Sequence, residues 1–145
     1  EEFRGTADAP VRAAVAEIAC THGWHIRRRL SLHSSAGNHT IAEAVGLLYL
    51  GLTLREHPRS RDWLQVARQL LDVESGRQVR ADGGPLEQAT WYLLFVADLL
   101  GLAQRLLAHC DEPPLPAMDD AIGRARHFLG SLADSRARLP RIGDA

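Results

Sequence analysis

The sequence contains no lysine, a single asparagine and only two cysteines among its 145 residues. A set of basic residues made entirely of arginine is typical of a GC-rich genome and indicates no function. Two cysteines, Cys20 and Cys110, are too few for a disulfide scaffold, and their apolar helical surroundings favour buried free thiols. The net charge is −1, so no overall positive field exists to attract nucleic acid.

Long apolar runs are scarce as well. The longest covers residues 89–103, is interrupted by Asp98 and is shorter than the ~20 residues that cross a bilayer, so we predict no membrane span. The chain starts at Glu1 without a leader pattern, which indicates a piece of a longer protein and leaves export undetermined. With 46% hydrophobic and 24% charged residues, residues 1–145 are expected to form a single domain.

Helical periodicity appears in five segments, and no stretch alternates in the manner of a strand. The predicted helices span about 9–30, with a bend at Gly23, then 40–56, a segment capped by Ser60, 86–109 and 117–135. The second and fourth are apolar almost all round and are expected to be central, whereas the third is amphipathic and belongs to an outer layer. The sequence therefore predicts an all-α domain, compatible with a bundle, a helical-repeat array or an α/α toroid.

Two polar clusters, residues 37–39 and 87–92, interrupt these apolar surroundings. Both lie at predicted helix starts, where backbone N–H groups and the helix dipole suit an anion such as the carboxylate of an acidic sugar. Taken alone, Asn38 is more often a helix cap, and Tyr92 is more often a core or rim aromatic. The residue types by themselves leave these interpretations open.

Three stretches together resemble the heparinase II/III group of polysaccharide lyases and the related alginate lyases. The resemblance extends from about residue 10 to the last residue, in the family's order and spacing. Two departures are Ala89, where the family often has serine, and Leu93, where a histidine often follows the tyrosine. The matching residues are Ser35 to His39 with Glu43, Ala44, Gly46 and Leu47; Asp82 to Gln88 reaching Tyr92; Leu139 to Asp144; and, between them, Trp63 and Gln78.

The resemblance implies that the antiparallel helical hairpins form part of an incomplete α/α toroid. It further implies that the rest of the toroid and a C-terminal β-sandwich domain belong to the parent protein, which is expected in the periplasm or outside the cell. The implied activity of that parent is cleavage of a uronic-acid-containing polysaccharide, heparin/heparan sulfate-like or alginate-like, by β-elimination. The isolated fragment is expected to be inactive, because catalysis needs both walls of the cleft.

The resemblance also implies roles for individual residues. Asn38 would neutralise the substrate carboxylate, since an amide donates hydrogen bonds to the developing enolate without titrating. Tyr92 would be the proton shuttle, and His39 would share the carboxylate contact. Glu87 and Gln88 either bind substrate or hold the start of the fourth helix through capping hydrogen bonds, and the sequence favours neither.

Other polar groups carry less information. Successive helical residues point ~100° apart, so the arginines at 27–29 cannot share one face, and we predict a solvated surface instead of a nucleic-acid patch. The expected partner is an acidic polysaccharide, and the alternative function is a non-catalytic glycan-binding or helical assembly module. Four histidines are clustered near the start of the chain: His22, His25, His33 and His39. Their spacing does not complete a zinc site, so we predict no metal site and no cofactor.

Overall fold

The computed structural model describes residues 9–33 and 36–144. Within these two ranges the chain is helical and contains no strand beyond one isolated bridge between Val79 and Pro85, which confirms the all-α prediction. Ser35, part of the first matching stretch, lies outside the described residues. The helices are α1 (Ala9–Arg28), α2 (Asn38–Thr53), α3 (Ser60–Gln78), α4 (Thr90–His109) and α5 (Pro116–Leu132).

Helices α2 and α4 run side by side in the same direction. Their starts are joined because Asn38 bonds to Glu87, just ahead of α4. Their ends are joined because Arg55, just after α2, donates to the Cys110 carbonyl and the Glu112 carboxylate, just after α4. Helices α1, α3 and α5 run the opposite way and pack against this pair, so the predicted antiparallel hairpins are confirmed.

The core is centred on α2, nine of whose sixteen residues are buried. Its apolar side chains pack between α3 and α4, and α5 closes the side of the core formed by α3 and α4. Full burial of one such side chain contributes roughly 1.5–3 kcal/mol, so this layer supplies much of the folding free energy. The largest fully buried apolar side chains are Ile41, Leu47, Leu48, Trp63, Leu71, Leu93, Leu100, Leu107 and Met118.

Helix α4 is less central than its composition predicts. Only six of its twenty residues are buried, and Trp91, Phe95 and Leu102 lie exposed along one side. By length and composition alone α4 could cross a membrane, a test that the core helices of soluble proteins also pass. In this fold its buried side packs on α2 and α5.

Helix α1 also differs from its prediction. It continues through Gly23 without a break, and the glycine serves close packing: a Cβ there would lie 2.8 Å from Leu50 Cδ1 and from Trp63 Cζ2. Val15 and Ile18, apolar residues of its first half, are each 60% exposed. The apolar stripe of α1 is therefore covered only over its second half.

Two predicted helix starts are corrected by the structure. Ser60 lies inside α3, where its hydroxyl donates to the Arg55 carbonyl at 3.0 Å, and the N-cap residue is Arg59. Helix α4 begins at Thr90 and not at residue 86, because Gln88 adopts a left-handed φ of 56° that a helix cannot contain. The four residues before α4 are consequently free to form a separate turn.

An earlier turn, residues 80–84, is fixed to α5. Arg124 donates from Nε to the Arg80 carbonyl at 3.0 Å, and the Asp82 carboxylate accepts the Gly84 N–H at 2.9 Å. Gly83 has a φ of 85° and faces the backbone of α5, where a side chain would collide. The turn at residues 80–84, which precedes the segment leading to α4, is thus held against α5.

Candidate functional site

Asn38 is the first residue of α2, and the preceding N-cap position is occupied by Gly37. Its side chain turns away from its own helix: Nδ2 donates to Glu87 Oε2 at 2.8 Å, and its backbone N–H donates to Glu87 Oε1 at 2.7 Å. The capping interpretation of Asn38 therefore does not describe the structure. The backbone N–H at the start of α2 is satisfied by a carboxylate from a distant part of the chain instead.

Gly37 makes this approach of Glu87 feasible. Its φ of 126° and ψ of −132° lie in a region that essentially only glycine adopts, and a Cβ there would overlap Glu87 Oε1. The sequence contained a signal for this, a glycine directly before a helix start, but nothing identified the side chain that needs the space. Gly37 is buried.

Tyr92 lies in the first turn of α4 and is 36% exposed. Its ring and the Glu87 side chain line the same small pocket, whose other walls are Gln78, Pro85, Leu86, Leu93 and Val96. Glu87 therefore bonds to Asn38 and shares a pocket with Tyr92, which places the two residues assigned by the resemblance at the same end of the molecule. The starts of α2 and α4, and therefore the positive ends of both helix dipoles, lie at this end of the molecule.

His39 and Gln88 flank this group on the surface, and both are exposed. His39 follows Asn38 in the first turn of α2, while Gln88 connects Glu87 to α4. The structure gives Glu87 a partner within the protein, whereas Gln88 faces solvent. Both of the sequence alternatives for Gln88, substrate contact and helix support, stay predictions.

Gln78 supports the segment that carries Glu87. It is 3% exposed, its backbone carbonyl accepts the Leu86 N–H at 2.9 Å, and its Nε2 donates to Glu74 Oε2 at 3.2 Å. Glu74 is 5% exposed and also accepts from Arg77 at 2.9 Å. A buried polar group of this kind is held in one orientation by its hydrogen bonds, so the end of α3 forms a rigid base beneath the site.

The C-terminal segment reaches the same region, which the sequence analysis did not predict. The Ile142 carbonyl accepts the N–H of Thr90, the first residue of α4, at 3.0 Å. Gly143 has a φ of 75° and lies so close that a Cβ would be 2.6 Å from the Gln88 carbonyl oxygen and 2.8 Å from the Ala89 Cα. The third matching stretch therefore covers the start of α4.

Groups elsewhere behave mostly as ordinary structural residues. Across the two described ranges, no set of three or more His, Cys, Asp or Glu side chains could hold a metal ion. Cys20 and Cys110 are free thiols, as predicted, but both residues are only partly buried, so the prediction that they are buried is wrong. Arg27 pairs with Asp62 at 3.0 Å, while the neighbouring Arg28 stacks over an indole ring, so these adjacent arginines point to different partners.

Comparison with known families identifies the chain at this point. Residues 15–112 match the family described as Heparinase II/III N-terminus. The chain belongs to the heparinase II/III family. No curated protein matches it.

Solved structures of this family share the fold. The product of the BT4657 gene, a heparinase III solved with methylated lysines, is 25% identical over 86% of this chain, with a TM-score of 0.71. A second structure of heparinase III is 20% identical over 70% of this chain, with a TM-score of 0.63. The chain spans 19% and 16% of those two proteins. Its helical hairpins are thus part of an α/α toroid, which confirms the architecture implied by the resemblance.

Proposed function

We propose that the protein carrying this heparinase II/III-family chain is a polysaccharide lyase that cleaves a uronic-acid-containing glycan by β-elimination. The observation that carries the proposal is that Glu87 bonds to Asn38 and lines a pocket with Tyr92, although Asn38 and Tyr92 come from helix starts far apart in the sequence. Family membership supports the reaction class. The substrate class rests on the chemistry that these two side chains offer.

The chemistry fits an acidic sugar. Removing the proton from the carbon beside a uronate carboxylate builds negative charge on that carboxylate, and hydrogen-bond donors aimed at it stabilise the transition state more than the ground state. Asn38 retains one Nδ2 hydrogen beyond the one given to Glu87. We propose that it donates this hydrogen to the uronate, with His39 beside it as a second contact.

Tyr92 supplies the proton transfer. Its phenol group is both a donor and an acceptor, the residue is 36% exposed, and we propose that its hydroxyl reaches the glycan. In the proposed reaction the Tyr92 hydroxyl gives its proton to the glycosidic oxygen as the C–O bond breaks. Its oxygen takes up the proton removed from the carbon beside the carboxylate, so the phenol is regenerated and a carbon–carbon double bond forms in the uronate. Gln88, exposed four residues before Tyr92, is a further candidate for a substrate contact.

The remaining parts of the parent enzyme stay proposals as well. We propose that further toroid helices and a β-sandwich domain complete the cleft, and that residues 1–145 alone show no turnover. Positioning both reacting groups relative to a bound sugar is worth several orders of magnitude in rate. One half of a cleft cannot provide it.

The test follows the absorbance of the unsaturated uronate product, using the full-length protein and a panel of heparan sulfate-like and alginate-like polysaccharides. We expect Asn38→Ala and Tyr92→Phe each to lower kcat by about 100-fold or more, the range of one lost oxyanion donor or one general acid. The chain has two tyrosines, so Tyr49→Phe on the exposed surface of α2 is the matched control and should leave kcat unchanged. Glycan binding without any product would refute lyase activity and favour the non-catalytic binding module.

A further inference from the structure

We infer that Glu87 is a positioning residue that fixes the amide of Asn38 for its contact with the substrate carboxylate; this inference rests on the proposed function. The two Glu87 oxygens accept from two different groups of the same residue, the backbone N–H at 2.7 Å and Nδ2 at 2.8 Å. Such a two-point contact defines both the place and the rotation of the side chain.

The direction of the amide follows from the chemistry of its partner. An ionised carboxylate only accepts hydrogen bonds, so the NH₂ end of Asn38 faces Glu87 and the amide cannot flip without placing two acceptors against each other. One Nδ2 hydrogen then remains with a fixed direction. A donor held in place before the substrate arrives avoids the cost of reorienting during the reaction.

The surroundings of Glu87 favour this role over direct binding of the uronate. Both of its oxygens already accept a hydrogen bond, and a second carboxylate placed beside it would be repelled by the like charge. Gly37 leaves the space that Glu87 occupies, and buried Gln78 anchors the backbone one residue before it through the Leu86 N–H. The Glu87 carboxylate therefore lies in the space left by Gly37, with both of its oxygens bonded to Asn38.

A double-mutant cycle on the full-length enzyme tests the inference. We expect Glu87→Gln to lower kcat by roughly 10- to 100-fold, the cost of a misplaced catalytic group, with KM changing less than threefold. In the Asn38→Ala background the same substitution should change kcat by less than threefold, because the group it positions is gone. Equal factors in both backgrounds would overturn the inference, since they indicate that Glu87 acts on the substrate or on the fold independently of Asn38.

Two further variants keep the result interpretable. Glu87→Asp preserves the charge but is one methylene shorter, so it cannot reach both donors; we expect a folded protein with reduced kcat, and kcat equal to that of the parent would overturn the inference. Glu112→Gln is the matched control, because Glu112 accepts from Arg55 at 3.2 Å at the opposite ends of α2 and α4. It should leave kcat within twofold of the parent.

A measurement independent of activity separates failure of this inference from failure of the proposed function. Selective asparagine labelling of the full-length protein gives backbone and side-chain amide signals by NMR, and those of Asn38 are assigned as the signals missing from Asn38→Ala. We expect slow hydrogen exchange of the backbone amide and of one Nδ2 proton, and loss of both protections in Glu87→Gln. Protection in a protein without lyase activity refutes the proposed function alone, whereas an unprotected Nδ2 in an active lyase refutes the positioning role alone.

Discussion

Replacing Gly37 with alanine tests the local geometry on which the candidate site depends. The residue has a φ of 126° and a ψ of −132°, and holding a non-glycine residue in such a region costs about 1–3 kcal/mol. The new methyl group would also overlap Glu87 Oε1. Because that oxygen holds the Asn38 backbone N–H, we expect the Glu87 contact to be lost or distorted as well.

The expected magnitude is a sum of two parts. Net hydrogen bonds to charged groups contribute about 1.5–3 kcal/mol each, and the partial exposure of Asn38 and Glu87 places their contribution at the low end. With about 1.5 kcal/mol for the lost bond to Glu87 Oε1 and about 1–3 kcal/mol of backbone strain, Gly37→Ala should lower the free energy of unfolding by about 2.5–4.5 kcal/mol, a large part of the roughly 5–15 kcal/mol typical of a domain.

The assay is urea unfolding of the chain followed by far-ultraviolet circular dichroism. Gly123→Ala is the matched control, because Gly123 is exposed inside α5 and a Cβ there meets nothing within 4 Å. That variant should be stabilised by roughly 0.5–1 kcal/mol through its better helix propensity. Gly37→Ala with a stability within about 0.5 kcal/mol of the parent, a change typical of an ordinary surface site, would refute the geometric argument.

Three other predictions concern separate parts of the fold. Gly23→Ala should destabilise by about 1–3 kcal/mol in urea unfolding despite its helical position, because the methyl group would press on Trp63; a stabilised variant would contradict the packing. Gly143→Ala should release the C-terminal segment from α4, since its φ of 75° and its contacts leave no room for a side chain, and limited trypsin digestion should then trim this segment faster than in the parent. A hydrogen bond from the Arg138 side chain lowers the pKa of Asp134. The turn that these residues form is therefore stabilised at pH values above the unfolded pKa, and it weakens as pH falls through the folded pKa. An NMR titration of Asp134 should show the lowered pKa, and Arg138→Ala should raise it toward that of an exposed aspartate.

The sequence predicted the helices better than their ends. Periodicity located all five, because a stripe of apolar residues reports a buried face whatever covers it. It misplaced the start of α4 because the left-handed conformation of Gln88 has no signature in the residue type. It could not predict that Val15 and Ile18 of α1 are exposed, since an apolar stripe does not say which partner buries it.

The candidate site was predictable only in part. Asn38 and Tyr92 were identified because they sit in recognisable motifs of the family. The bond from Asn38 to Glu87 could not be predicted, since it joins residues 49 positions apart and local patterns carry no information on such a pairing. The contribution of the C-terminal segment was missed for the same reason, because its contact with Thr90 is created by the tertiary fold.

The contact of Arg124 with the turn before α4 has a consequence for how variants of this protein are interpreted. This arginine donates to the carbonyls of Val79 and Arg80. Helix α5 therefore holds in place the backbone that leads to Glu87. A screen for inactive variants would score Arg124 alongside the residues of the cleft, although it lies on another helix and touches no proposed substrate. Activity screens of this family therefore detect residues that hold the backbone in place together with residues that take part in the reaction. Measuring the stability of each purified variant distinguishes the two groups.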